Sequence, residues 1–334
     1  MSHPRLTSSL TRLAGAIVVA VVIGAMAFAT AGAQHGNLPN PYHEVATWAK
    51  LPAGVAWGGV ISVDPAPNGD IWVFHRSDPP ILRFDQSGTV VKSFGAGLFA
   101  QAHGMTVDRD GNVWVTDSQT KDGKGQQVFK FSPEGKVLMT LGKAGVAGEG
   151  TDVFSGPCDV VVGSNGDIFV ADGHIAGTTV GRIMKFSKDG TFITAWGKRG
   201  KGPGEFDTPH AIAMDSRGRI FVADRGNSRI QVFDQDGRFI DQWKQFGRPS
   251  GVFIDKNDTI YVADSQSNAT QNPGFARGIR IGSAKDGTVT AMVPFVEPDP
   301  DKNNNAGSEG VAADAKGTLY AAEVTTENLK KYTK

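Results

Sequence analysis

Apolar and polar residues alternate in short runs along most of the chain, and the runs recur as one unit. A small or polar residue precedes an apolar strand, an Asp- or Gly-rich turn follows, and a second strand ends near an acidic residue. Residues 102–117, 157–172, 209–224, 249–264 and 308–323 carry this pattern, and 57–75 is a looser first copy. Alternation of period two, broken by Asp-Gly and Gly-Asn signals, predicts antiparallel hairpins. In the fourth copy two more strands follow, so that 211–215, 219–224, 229–234 and 239–244 read as four strands. Repeated four-stranded antiparallel units predict an all-β fold, a β-propeller of six blades. No stretch after residue 40 sustains a helical period.

The ends are expected to interlock. The last copy supplies three strands, near 310–314, 318–323 and 328–332, while 42–51 resembles the outer strand at 191–199. That early segment is expected to complete the sixth blade as its fourth strand, which leaves no half-built blade with an open edge. Insertions at 119–127, 142–154, 198–207 and 294–307 read as loops, the Asn303-Asn304-Asn305 run among them.

Composition adds compartment and excludes one class of partner. Thirty-four basic and thirty-four acidic residues cancel, which gives no support to a nucleic-acid partner. Arg5 and Arg12, the apolar run Leu13 to Ala29 and the small residues Ala31-Gly32-Ala33 read as a secretory signal over 1–33. Residues 34–41 then form a linker and 42–334 the propeller, in a secreted or periplasmic protein. Left uncleaved, the same segment would anchor the chain to a membrane. A single cysteine, Cys158, excludes an intramolecular disulfide framework.

Aligning the six copies stacks Gly58, His103, Cys158, His210, Ser250 and Glu309 in one column, at spacings of 45, 55, 52, 40 and 59 residues. Alternate blades of a six-fold ring lie about 120° apart, so His103, His210 and Glu309 converge on the axis. Two imidazoles and a carboxylate suit zinc with an open position, and suit iron or manganese as well. Cys158 reads as a small buried residue. Asp117, Asp172, Asp224, Asp264 and Glu323 recur at one repeat position, with His75 in the same place. Recurrence of that kind points to a turn-stabilising hydrogen bond. Trp114, Trp196 and Trp243 read as core or inter-blade packing.

Gly204-Glu205-Phe206, then Pro209-His210, then residues 222–233 resemble the NHL repeat. Within NHL propellers the column resembles that of the peptidyl-α-hydroxyglycine α-amidating lyases. The resemblance implies a catalytic zinc on three His of alternate blades, matched here by His103 and His210, with Glu309 where the family has its third His. It implies carboxylate-holding roles for Arg76 and Arg225, and it puts His174 where the family has a catalytic Tyr, as the general base. Gly310 replaces an Asp that serves the family's structural calcium, which argues against calcium here. A lyase would take a small-molecule or peptide substrate and release glyoxylate and an amide. Two other readings remain open: a gluconolactonase-like hydrolase, and a non-enzymatic propeller that binds peptide, glycan or protein.

Overall fold

Each sequence repeat closes into one four-stranded antiparallel sheet, and the computed structural model contains six such sheets among the described residues, which are 1, 38–175, 177–295 and 307–334. The expected signal at 1–33 and the Asn303–Asn305 run lie outside those residues. The compact unit runs from Pro39 to Lys334. Among the described residues no helix is long and apolar enough to cross a membrane, and a single 3-10 turn, Arg225–Asn227, interrupts the strands.

Blade one comprises Val60–Pro65, Ile71–His75, Ile81–Phe84 and Val90–Phe94, and blade two Ala102–Val107, Val113–Asp117, Gln127–Phe131 and Val137–Leu141. The fourth-copy strands of the sequence reading fall at Pro209–Met214, Ile220–Asp224, Arg229–Phe233 and Phe239–Trp243, within two residues of expectation. Second strands such as Ile168–Asp172 and Ile220–Asp224 are buried at every position because a blade lies on each face. Outer strands such as Phe192–Trp196 alternate between half-buried and exposed. Six apolar clusters fill the six seams between neighbouring blades. One joins Val128 and Leu141 of blade two to Val160 and Phe186 of blade three, and another joins Val73 and Phe84 of blade one to Ala312 and Tyr320 of blade six.

The ring closes as expected, through a shorter strand. His43 and Glu44 pair antiparallel with Thr333 and Tyr332, making blade six from Ser308–Ala313, Leu319–Glu323, Asn328–Thr333 and His43–Glu44. The rest of 42–51 crosses the seam, and Lys50 bridges to Thr89 of blade one. Trp48 fills that seam, with its ring 5.7 Å from Phe84 and 5.3 Å from Tyr320. Its indole N–H donates to Gln86 O at 3.2 Å, and the Lys331 ammonium lies 4.8 Å over its face.

Four of the recurring acidic residues act on the chain entering their blades. Asp117 accepts from the N–H groups of Ala100 and Gln101, Asp172 from Ser155, Asp224 from Asp207 and Asp264 from Arg248. In blade one His75 Nδ1 accepts from the Gly58 N–H at 3.2 Å. Third-strand cations pair with four of the acids: Arg182, Arg229, Arg280 and Lys330. Each clamp therefore fixes where an inner strand begins.

Every inner strand then carries a bulge directly after its first paired residue. The register shifts at Val60/Ser62, Ala102/Met105, Pro157/Asp159, Pro209/Ala211, Pro249/Gly251 and Ser308/Gly310. The bulged residues are Ile61, His103 with Gly104, Cys158, His210, Ser250 and Glu309. Blade one thus corrects the sequence alignment: Ile61, three residues on, takes the place assigned to Gly58. The first copy has a longer Pro-rich turn at Pro65–Pro67, and aligning on small residues displaced it.

Trp48→Ala is expected to cost about 3–5 kcal/mol, the range for losing a large buried aromatic, read as a lower urea midpoint. A loss under about 1 kcal/mol would show that the seam is held elsewhere.

Candidate metal centre at the channel mouth

The six inner strands surround a central cavity of about 130 Å³, lined at one end by His103, Cys158, His210, Ser250 and Glu309 and deeper by Asp64 and Asp159. His103 and His210 are 2% and 3% exposed, with ring centroids 4.6 Å apart. Each imidazole is held by the next blade. His103 Nδ1 donates to Cys158 O at 2.7 Å and His210 Nδ1 to Ser250 O at 2.6 Å. A carbonyl can only accept, so both protons lie on Nδ1 and both Nε2 atoms present lone pairs. These Nε2 atoms are buried and have no hydrogen-bond partner. Burial first, then nearby arginines and imidazoles, holds both rings far below the usual histidine range, so they are neutral at pH 7.

His174 joins them from the loop after the second strand of blade three. That loop packs on Gly156, whose φ of +92° and whose missing Cβ, 2.8 Å from His174 N, both require glycine. The His174 ring stands 4.6 Å from His103 and 5.1 Å from His210, and donor nitrogens of the three lie within 4.8 Å of one another. Arg225 donates to His174 Nε2 at 3.1 Å, while His174 Nδ1 is buried without a protein partner. Burial, then Arg225 and Arg76, pushes His174 down to about 3.

Glu309 stands beside this group. Its Oε2 is 3.8 Å from His210 Nε2 and its Oε1 4.0 Å from an Arg225 guanidinium nitrogen. Arg225 is nearly buried and is braced by Arg248, which donates to the Arg225 carbonyl at 2.8 Å. Arg76 is exposed at the rim, and its Nε donates to Ala102 O at 3.2 Å, one residue before His103. It borders a second cavity of about 250 Å³ with Asp78, Phe99 and Gln101. All six residues singled out from the sequence therefore lie at one mouth, with the three imidazoles forming its tightest group. Arg248 and the bulges were missed. The alignment could have flagged Arg248, which directly precedes the fifth inner strand.

Two buried nitrogen lone pairs, fixed in tautomer by backbone carbonyls and flanked by a carboxylate, fit a zinc-type ion. Cys158 does not join them. Its thiol is fully buried, bonds Gly156 O and is pushed far up by burial, so it is no thiolate donor. Deeper in the channel the carboxylates are engaged with backbone. Asp159 accepts from Val160 and Ile212 N–H, and Asp64 from Val107 N–H and the Thr106 hydroxyl. Burial raises each to about 7.

An NHL repeat model matches residues 206–233. The chain is 36% identical over 261 residues to peptidyl-glycine alpha-amidating monooxygenase B of Xenopus laevis, covering 73% of this chain and 27% of that protein. It is 37% identical over 155 residues to peptidyl-alpha-hydroxyglycine alpha-amidating lyase 1 of Drosophila melanogaster, covering 43% and 27%. The chain thus spans about a quarter of the length of these relatives. A gluconolactonase from Xanthomonas campestris shares the fold at TM-score 0.58 and 14% identity, over 83% of this chain and 86% of that one. The chain is an NHL-repeat six-bladed propeller that resembles the amidating lyases.

Asp64→Asn tests the channel carboxylates, because an amide oxygen can keep both hydrogen bonds. A carboxyl raised in the fold binds its proton more tightly folded than unfolded. Its contribution to stability therefore falls as pH climbs from the unfolded value of 3.8 to about 7. The variant should gain on wild type between pH 5 and 8, by on the order of 2 kcal/mol, in denaturant midpoints. Parallel pH profiles would contradict this.

Proposed function

We propose that this chain is an exported, metal-dependent lyase that cleaves the C–N bond of an α-hydroxyglycine-type amide, peptide or small molecule. The observation that carries the reading is the pair of buried, tautomer-fixed Nε2 lone pairs of His103 and His210, facing His174 and Glu309 beside Arg225. A relative named as an alpha-hydroxyglycine alpha-amidating lyase supports the reaction class.

His103, His210 and Glu309 would hold the ion. A bound zinc, or iron or manganese on the same donors, supplies a Lewis acid that acidifies a hydroxyl placed against it. His174 is assigned a different role on the ground of its hydrogen bond. A neutral imidazole that accepts from Arg225 at Nε2 carries its proton on Nδ1 and has no second lone pair for a metal. Arg225 and Arg76 are cationic and reach the same mouth, which suits them to a substrate carboxylate. Seating that carboxylate would offset two of the three influences that depress His174 and turn Arg225 away from it. His174 is then free to take the hydroxyl proton and return it to the departing nitrogen. The products are glyoxylate and the amide, with atoms and charge conserved.

A lactone hydrolase of the carboxylate-rich kind fits less well. The deeper carboxylates Asp64 and Asp159 already accept backbone N–H groups, so Glu309 is the channel-mouth carboxylate left beside the imidazoles. The likeness to gluconolactonase rests on fold alone.

The test is metal content and glyoxylate release from a peptide ending in α-hydroxyglycine. Wild type should carry about one equivalent of metal, and His103→Ala, His210→Ala and Glu309→Gln should lose it. His174→Gln should keep the metal and lose glyoxylate release by about 100-fold or more. Metal loss in His174→Gln with retention in Glu309→Gln would make His174 the third donor. Equal, near-zero metal in every variant and in wild type would leave a non-enzymatic binding propeller.

A further inference from the structure

The residue just before the terminal acidic position of each second strand is Phe74, Thr116, Ala171, Ala223, Ala263 or Ala322 in the six blades. Only blade two places a hydroxyl there, and it lies opposite the bulge that carries His103. That bulge adds one residue, as the other five do, but its ladder resumes later. Pairing restarts at Met105 opposite Val115, so that Gly104 and Thr116 are left out of the register, whereas in the other blades the residue after the bulge is already paired.

Thr116 is fully buried, and its Oγ1 makes two hydrogen bonds with opposite roles. It accepts from the Gly104 N–H at 2.7 Å, a group that the bulge removes from the ladder, and it donates to Cys158 O at 2.9 Å. The same Cys158 carbonyl accepts from His103 Nδ1 at 2.7 Å. Both lone pairs of that oxygen are therefore in use, which fixes its direction. Gly104 permits the approach, since a Cβ there would lie 2.5 Å from Cys158 O. His210 has no counterpart: Ala223 stands at the matching position, and Ser250 instead bonds Ser265 through its hydroxyl.

We propose that Thr116 is a positioning residue that aims His103 Nε2 into the channel by tying the bulge, at the Gly104 N–H, to the Cys158 carbonyl. The inference rests on the metal-site reading for its affinity readout and stands apart from it for a second readout. A carbonyl anchor that orients a ligating imidazole typically governs metal affinity by 10–100-fold. A threonine that merely supported the strand would leave the imidazole's environment unchanged once the protein folded.

The experiment compares wild type with Thr116→Val, which keeps the shape without the hydroxyl, and Thr116→Ser, which keeps the hydroxyl. In metal-free, histidine-labelled protein the His103 Nδ1–H resonance should move or broaden in Thr116→Val and return in Thr116→Ser. With Co²⁺ as probe, Thr116→Val should bind about 10–100-fold more weakly in chelator competition, with an altered visible spectrum. Thr116→Ser should fall within a few-fold of wild type. An unchanged resonance in a folded Thr116→Val overturns the proposal, as does unchanged Co²⁺ affinity where wild type binds. If wild type binds no Co²⁺ but the resonance still responds, the metal reading fails and the positioning role stands.

Discussion

In a radial sheet the side chains of an inner strand point at the neighbouring blades, and the axis receives the strand's unpaired edge. Those edge amides and carbonyls are buried beside a narrow channel and require partners. The molecule supplies them from the adjacent blade. Asp64 of blade one accepts from Val107 of blade two, and Asp159 of blade three accepts from Ile212 of blade four. His103 and His210 donate to Cys158 and Ser250 of the blades that follow. The site follows from satisfying this edge, because the same bonds that saturate the carbonyls orient the imidazoles. The bulge makes the exchange possible by swinging one residue per blade off the sheet faces.

Neutrality of the imidazoles follows from the same burial. Arg76 and Arg225 add to it, since a positive charge nearby disfavours a second one on a ring. Glu309 then serves as the local counter-charge, within 4.0 Å of Arg225 and 3.8 Å of His210. The mouth therefore keeps lone pairs available at neutral pH while holding two guanidinium groups close by. That combination favours a cation bound by nitrogen and an anion bound by arginine at one place.

Much of this was legible from residues. Period-two alternation and its turns gave the six blades, because strands buried on both faces or on one leave different patterns. The column gave His103, His210 and Glu309 because a ring maps one repeat position to one radius. Its first member was misread, since Ile61 is apolar and Gly58 looked like the column's small residues. The closing segment was read as a full strand, yet only His43 and Glu44 pair, because Trp48 turns the chain into the seam with blade one. The bond from Arg225 to His174 was not legible, since repeat alignment says nothing about loops that lean across blades. Thr116 was not singled out from the sequence, because its two bonds depend on where the ladder resumes after the bulge, which repeat alignment does not show.

Sterics explain why small residues separate the donors. His103 and His210 come from alternate blades, and their rings are already in contact at 4.6 Å between centroids. A third imidazole on the intervening inner strand would have to share that space, and Cys158 is there instead, with its carbonyl accepting from His103. The Cys158 thiol turns into the seam between blades three and four and bonds Gly156 O, the carbonyl that also accepts from the His174 N–H. His174 enters from the loop of the same blade with its ring 4.6 Å from His103. Three imidazoles therefore gather on blades two to four, and Glu309 faces His210 from blade six. Enlarging Cys158 would press on Gly156 and so on the His174 loop that its carbonyl holds. Its smallness is thus a requirement of the site, although its sulfur takes no part as a donor.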